Sequence, residues 1–197
     1  MIFIGVTGGI GSGKSEACRI FQLLGGRVLD TDSIAKNLSD TDKAVKARIR
    51  HIAGADVYLP DGALNRKALA KKIFSDDNLL KRINEAVHPS VIQYIEREKE
   101  KIAKAGKVTL TFVESALVYE SRIEKLFDYI IDIHANENTA LQRTSLSKDE
   151  FLQRSKAQIA PEKKMVKADF VIHNDGSREE FESRCKFVYS ILSRLDR

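Results

Sequence analysis

Cysteine is nearly absent from this chain of 197 residues: only Cys18 and Cys185 occur, far apart and in no metal-like spacing. That argues against a disulfide framework and a zinc-finger type of site, and favours a reducing compartment. Long apolar runs are also missing, so no membrane-spanning segment is expected. The first residues enter an apolar strand with no basic stretch ahead of it, and the expectation is a cytoplasmic protein. Low-complexity tracts and internal repeats are absent. Nor is charge of one sign dominant: 33 Lys and Arg stand against 28 Asp and Glu, a net charge of +5. Such a field favours polyanionic ligands. The basic residues are interspersed with acidic ones, however, as on a solvated helical surface, so no nucleic-acid partner is expected. With 43% hydrophobic residues the chain can build one α/β domain with an insertion.

What is present is organised around Gly8-Gly9-Ile10-Gly11-Ser12-Gly13-Lys14-Ser15, which meets G-x-x-x-x-G-K-[ST] in full. The apolar run Ile2-Phe3-Ile4-Gly5-Val6-Thr7 before it reads as a buried strand, and Ala17 to Leu24 after it has helical spacing. Strand, glycine loop and helix together make a phosphate site rather than a chance match. The glycines let the backbone turn its N–H groups inward into a concave anion nest, and the helix N-terminus adds its dipole. Lys14 reaches the terminal phosphates and the Ser15 hydroxyl is the expected Mg²⁺ ligand. These features predict binding of a nucleoside triphosphate.

Further along, Gly25-Gly26 breaks the chain and Arg27-Val28-Leu29 makes a second strand ending at Asp30-Thr31-Asp32. Asp32 or Ser33 would cap a helix over Ile34 to Leu38. Residues 40–105 read as almost wholly helical: Asp42 to Ala53, then a turn at Pro60-Asp61-Gly62, then Arg66 to Phe74 capped by Asn65. Another helix opens at Asp76-Asp77 and stops near His88-Pro89, and a last one covers Ser90 to Ala105 and ends at Gly106. Strands resume at Val108 to Val113, Tyr129 to Ile133 and Phe170 to Ile172, followed by a helix from Arg178 to Leu195. Alternating strands and helices predict a parallel sheet covered on both faces, with ligands at the carboxyl ends of the strands. Gly8, Asp30, Glu114 and Asn174 fall at such ends.

Neither D-x-x-G nor N-K-x-D occurs, which argues against a GTPase of the common type. A small-molecule kinase needs instead an acceptor pocket beside the phosphate loop, a base at the acceptor hydroxyl and a cationic lid. Asp30 and Asp32 at the end of the second strand would sit next to the phosphate loop, one organising Mg²⁺ water and the other taking a hydroxyl proton. Glu114 reads either as a holder of Mg²⁺ water or as a cap of the following turn. Cys18 reads as a small core residue.

A wider set of residues stands beside these: Val6 to Ser15, Val28 to Asp32 with Ile34-Ala35, Asp61 to Leu69, Ile73-Phe74, His88-Pro89 and Glu114 to Glu120. They continue with Ala157-Gln158, Lys167-Ala168-Asp169 and Ile172 to Gly176. On these residues the chain resembles the dephospho-coenzyme A kinase family. The resemblance implies a P-loop NTPase three-layer fold with a parallel sheet, an inserted helical acceptor-binding lobe and a short lid. Residues 1–39 and 106–197 would form the nucleotide-binding core, with the lid near 142–163, and residues 40–105 the coenzyme A-binding insertion. It implies that MgATP phosphorylates the ribose 3′-hydroxyl of dephospho-CoA. Asp32 then matches the general base, Asp30 and Ser15 the metal side, and Lys14 and Arg143 the cations that act on the transferring group. Gly11 to Glu16 with Asn174 and Gly176 match the nucleotide contacts, the Asn174 segment lying on the adenine side. Arg66 and His88 match the acceptor pocket; on sequence alone Arg66 reads as a solvated helix residue, and His88 is more often a helix-end residue than a ligand. A monomer or weak homo-oligomer is expected.

The chain also departs from the family pattern. Glu16 stands where most relatives have threonine, and Glu114-Ser115-Ala116-Leu117-Val118-Tyr119 replaces a proline-leucine segment. Beyond Arg143 the usual second arginine is missing and Thr144-Ser145-Leu146-Ser147 takes its place.

Overall fold

A computed structural model describes residues 1–74, 76–106, 110–156 and 158–195. In chain order the elements are β1 (Ile2–Gly8), α1 (Lys14–Leu23), β2 (Arg27–Asp30), α2 (Thr31–Thr41), α3 (Lys43–Ala53), α4 (Arg66–Phe74) and α5 (Asp77–Ala105). They continue as β3 (Leu110–Glu114), β4 (Tyr129–His134), α6 (Glu137–Gln142), α7 (Lys148–Lys156), α8 (Pro161–Lys167), β5 (Phe170–His173) and α9 (Arg178–Leu195). The strands form one parallel sheet in the order β2-β3-β1-β4-β5. β1 is central and buried along its whole length, which is why its sequence runs apolar instead of alternating.

The chain separates into two compact units, Met1–Asp30 together with the chain from Lys99 onward, and Thr31–Glu98. In the first unit, α1 turns Ala17, Cys18, Ile20 and Phe21 inward, and α9 contributes Phe181, Cys185, Val188 and Leu192 to the same core. The Phe21 ring stacks on Phe112 of β3 with 4.3 Å between centroids. Truncating such a buried aromatic costs about 3–5 kcal/mol. Both cysteines are free and buried. Burial pushes the Cys185 thiol up to about 12 and that of Cys18 well above its usual value, so both act as small apolar groups.

The second unit is built on α2 to α5. Asp42 caps α3 by accepting from Val45 N at 2.9 Å, as its sequence position suggests. The Tyr58 hydroxyl donates to Ser39 O at 3.0 Å, while Arg50 lies over its ring at 4.8 Å from the centroid.

Several element boundaries differ from expectation. α1 starts at Lys14, directly at the glycine loop. α2 starts at Thr31, so Asp32 lies inside its first turn and neither it nor Ser33 is the cap. α5 is continuous through Pro89, with no stop near His88. A proline removes one i→i−4 bond. Leu79, Ile83, Val87, Val91 and Ile95 are buried at four-residue spacing on both sides of it, so the packed face outweighs that loss. The second compact unit spans Thr31–Glu98, beside the 40–105 expected for the insertion. Of the expected strand from Val108 to Val113, positions 108 and 109 lie outside the described residues, as does Ala157.

Candidate nucleotide and metal site

The glycine loop crosses from β1 to α1, and its conformation demands glycine at defined points. Gly11 and Gly13 have φ of 70° and 99°, in the left-handed region. A Cβ on Gly11 would overlap Ala140 O, and one on Gly13 would overlap the side-chain amide of Asn174. The first helical bond of α1 is Ala17 N to Gly13 O at 3.0 Å, so the amides ahead of it form the positive end of the helix. Gly11, Gly13, Lys14, Ser15, Glu16 and Arg143 line an open pocket of about 230 Å³ at that end. A phosphate-sized anion fits there, with backbone dipoles and two cations around it.

The Lys14 ammonium is folded onto the loop and donates to Gly8 O at 3.2 Å and Gly9 O at 2.8 Å. Ser15 Oγ donates to Glu114 Oε1 at 2.6 Å. Glu114 ends β3, and its register partner across the sheet is Asp30, the last residue of β2. Ser15, Glu114 and Asp30 thus bring a hydroxyl and two carboxylates to the carboxyl edge of the sheet. Among the described residues no group of three or more His, Cys, Asp and Glu is arranged to hold a metal. Mg²⁺ does not require one, because it keeps several waters and takes only one or two protein oxygens beside the substrate phosphates. The donor set fits Mg²⁺, and Glu114 is the member that sequence reasoning left ambiguous. Only the sheet order, which places β3 between β2 and β1, identifies it.

Two arginines engage the Glu16 carboxylate. Its carboxylate accepts from Arg19 Nε and Nη2, each at 2.8 Å, and from Arg178 at 3.1 Å. The hydrogen bond from Arg19 is foremost in holding its pKa down at about 2. Its place in the pocket lining comes from its position in the first turn of α1.

Arg143 closes the C-terminus of α6 and donates to Asn174 O at 2.8 Å. Asn174 follows β5, is 6% exposed, and donates its side-chain amide to Ser12 O at 2.8 Å. Asn174 opens the segment expected on the adenine side, and its own side chain is engaged beneath the phosphate loop. Gly176 precedes Ser177, which exchanges bonds with Glu180 at the start of α9.

Further along the segment expected to form the lid, Arg154 belongs to α7 and Lys163 to α8. Lys164, which its charged surroundings concealed, is 1% exposed. It donates to Ala116 O at 2.7 Å and pairs with Glu120 at 3.1 Å. Nearby on β4, Asp132 is 1% exposed and lies in register with Thr7. Burial pushes its carboxyl up to about 6, against the opposing pull of Lys164 and Lys14. Among the described residues, Asp132 Oδ1 and Thr7 Oγ1 have no hydrogen-bond partner.

In the second unit, Asp32 is an exposed residue of the first turn of α2, two positions beyond Asp30. Arg66 opens α4 and donates to Asp40 at 2.8 Å and to Lys36 O at 3.3 Å. His88 lies mid-helix in α5, half-buried, and burial holds its imidazole below the usual range.

The sequence model of dephospho-CoA kinase matches residues 2–180. The chain belongs to the dephospho-CoA kinase family. It is 34% identical over 200 residues to a dephospho-CoA kinase of Chlamydia felis, covering 99% of this chain and 98% of that one. Its structure resembles a dephospho-CoA kinase of Campylobacter jejuni with a TM-score of 0.75 at 27% identity, covering 99% of this chain and 98% of that one. A shikimate kinase of Bacteroides thetaiotaomicron, covering 98% of each chain at a TM-score of 0.55 and 13% identity, shares the fold alone. Members of the family phosphorylate dephospho-CoA with ATP in the final step of coenzyme A biosynthesis, and the present chain has the P-loop kinase fold that this chemistry uses. Among the described residues no helix is long and apolar enough to cross a membrane.

Proposed function

We propose that this chain transfers the γ-phosphoryl group of MgATP to the ribose 3′-hydroxyl of dephospho-CoA. The observation that carries this reading is the pocket in which Lys14 and Arg143 flank the glycine loop, beside the Ser15–Glu114 hydrogen bond. When nucleotide enters, Lys14 exchanges the Gly8 and Gly9 carbonyls for phosphate oxygens. Its charge and that of Arg143 then oppose the charge that develops on the transferring group. Ser15 and Asp30, with Glu114 behind Ser15, would hold Mg²⁺, which would supply positive charge against the nucleotide phosphates. Asp32 accepts the proton of the acceptor hydroxyl as the new O–P bond forms and the β–γ bridge breaks, releasing ADP. The nucleotide's α-phosphate and adenine side extend from Glu16 toward Asn174 and Gly176. The helical unit Thr31–Glu98 holds the pantetheine arm, with Arg66 and His88 among its acceptor contacts. A half-buried neutral His88 is suited to hydrogen bonding, not to charge pairing. The enzyme acts in the cytoplasm as a monomer or weak homo-oligomer. Ion pairs within the chain, such as Arg19–Glu16 and Lys186–Glu182, support a reading without nucleic acid.

A coupled ADP assay with dephospho-CoA, AMP and adenosine tests the proposal. Dephospho-CoA should be strongly preferred, and equal turnover of AMP would remove the assignment. Asp32→Asn should lower kcat by about 10²–10⁴-fold with ATP affinity nearly unchanged, while Asp30→Asn should change the Mg²⁺ requirement. An Asp30 variant with the larger kcat loss and an unaltered Mg²⁺ requirement would reverse the two roles.

A further inference from the structure

Three bonds converge on Asn174. Its amide nitrogen donates to His134 O at 2.7 Å, fixing it to the end of β4. Its carbonyl accepts from Arg143 at 2.8 Å, and its side-chain amide donates to Ser12 O at 2.8 Å. The last bond matters because Ser12 O belongs to the same planar unit as the N–H of Gly13. In a trans peptide these two groups point in opposite directions. Holding Ser12 O on the Asn174 side therefore turns the Gly13 N–H away from Asn174, and Gly13 lines the pocket together with Lys14 and Arg143. The missing Cβ of Gly13 leaves the space that the Asn174 amide occupies.

We infer that Asn174 is a positioning residue of phosphoryl transfer, aiming the Gly13 N–H at the bound phosphate through Ser12 O and anchoring the Arg143 guanidinium over the same phosphate through its own carbonyl. The inference rests on the reading of the glycine loop as the nucleotide phosphate site. It assigns to Asn174 a task that a contact with adenine would not require. The side chain is specific to that task. An ionised Asp at this position cannot donate to Ser12 O and brings a negative charge beneath a phosphate site. Ala leaves Ser12 O without its donor, and Gln adds a methylene where the residue is 6% exposed. Arg143 is bound to the main chain of Asn174, so a side-chain substitution perturbs the loop directly and the arginine only through the shift that follows.

The test measures ATP affinity by calorimetry, steady-state kinetics with dephospho-CoA, and Tm for Asn174→Asp, Asn174→Ala, Arg143→Lys and the doubles. Losing a donor to a buried carbonyl should weaken ATP binding and lower kcat by about tenfold for Asn174→Ala, and more for Asn174→Asp. The KM for dephospho-CoA should stay within about twofold, since that substrate is not held by the loop. Combining Asn174→Ala with Arg143→Lys should cost less than the product of the two single losses, because both act on one phosphate through one residue. A merely structural asparagine would lower Tm and leave ATP affinity, kcat and the coupling to Arg143 untouched. That outcome overturns the inference, as does ATP affinity within twofold of the parent in both Asn174 variants. Lys14→Ala separates the premise from the inference: full turnover and ATP binding in that variant would overturn the phosphate-loop reading itself, and the Asn174 assignment with it.

Discussion

Asp132 offers the sharpest test of how the core beneath the phosphate loop is built. Its carboxyl is 1% exposed, and burial raises it from 3.8 to about 6. The sign follows from linkage: a folded-state value above the unfolded one means that the folded chain binds the proton more tightly. Stability then falls as pH rises from the unfolded value through about 6, and the ionised carboxylate is carried at a cost above that. A shift of about two units corresponds to roughly 3 kcal/mol as an upper bound, and to roughly 1.4 kcal/mol between pH 8 and pH 5. Asp132→Asn removes this titration while keeping the shape, but its amide brings donors that need partners, at about 1–2 kcal/mol. The variant should therefore be more stable than the parent at pH 8 by about 1–2 kcal/mol, and should lose most of that advantage by pH 5. In a chain of this size, 1 kcal/mol moves Tm by roughly 2–4 °C, so scanning calorimetry from pH 5 to 8 resolves the effect. The decisive quantity is the slope of the Tm difference with pH. A difference that is flat, or that grows as pH falls, would refute the account of Asp132 as a carboxylate ionised against its burial.

Two further predictions concern side chains that the family pattern left unsettled. Arg143→Lys should lower kcat by about tenfold at saturating ATP, since an ammonium cannot bond Asn174 O and present a planar fork to a phosphate together. Arg154→Lys should change kcat by less than about twofold, and the opposite ranking would move the lid cation from α6 to α7. Glu16→Gln should leave kcat nearly unchanged and cost less than about 1 kcal/mol of stability, because its arginine partners are largely exposed. A large loss of ATP affinity in that variant would make the carboxylate part of the nucleotide site.

What was legible in the sequence is what local spacing controls. The continuous apolar run of β1, the glycines that follow it and the Ala17, Cys18, Ile20 and Phe21 stripe are consecutive in the chain, and each reports directly on burial or backbone freedom. Helix limits were less legible where two local rules compete. Asp30-Thr31-Asp32 carries residues that favour caps, yet the helix begins at Thr31 because the chain has already left the sheet edge. Pro89 carries a helix-stop signal, yet the buried stripe from Leu79 to Ile95 overrides it.

The remaining side chains were hidden for a different reason. Alternating strands and helices announce a parallel sheet but not its order, and the order decides which distant residues meet. Placing β3 beside β1 gives Glu114 to Ser15, and placing β4 and β5 on the other side gives Asn174 to Ser12. Lys164 reads as one more charge in a charged helix until Glu120 and Ala116 O, which belong to the segment after β3, enclose it. Burying an unpaired ammonium would cost several kcal/mol, so these two partners are a condition of packing α8 at all. The glycine loop proposed to hold nucleotide is thus specified by its own spacing. The atoms that hold the loop in shape are specified by topology, and only the folded chain discloses them.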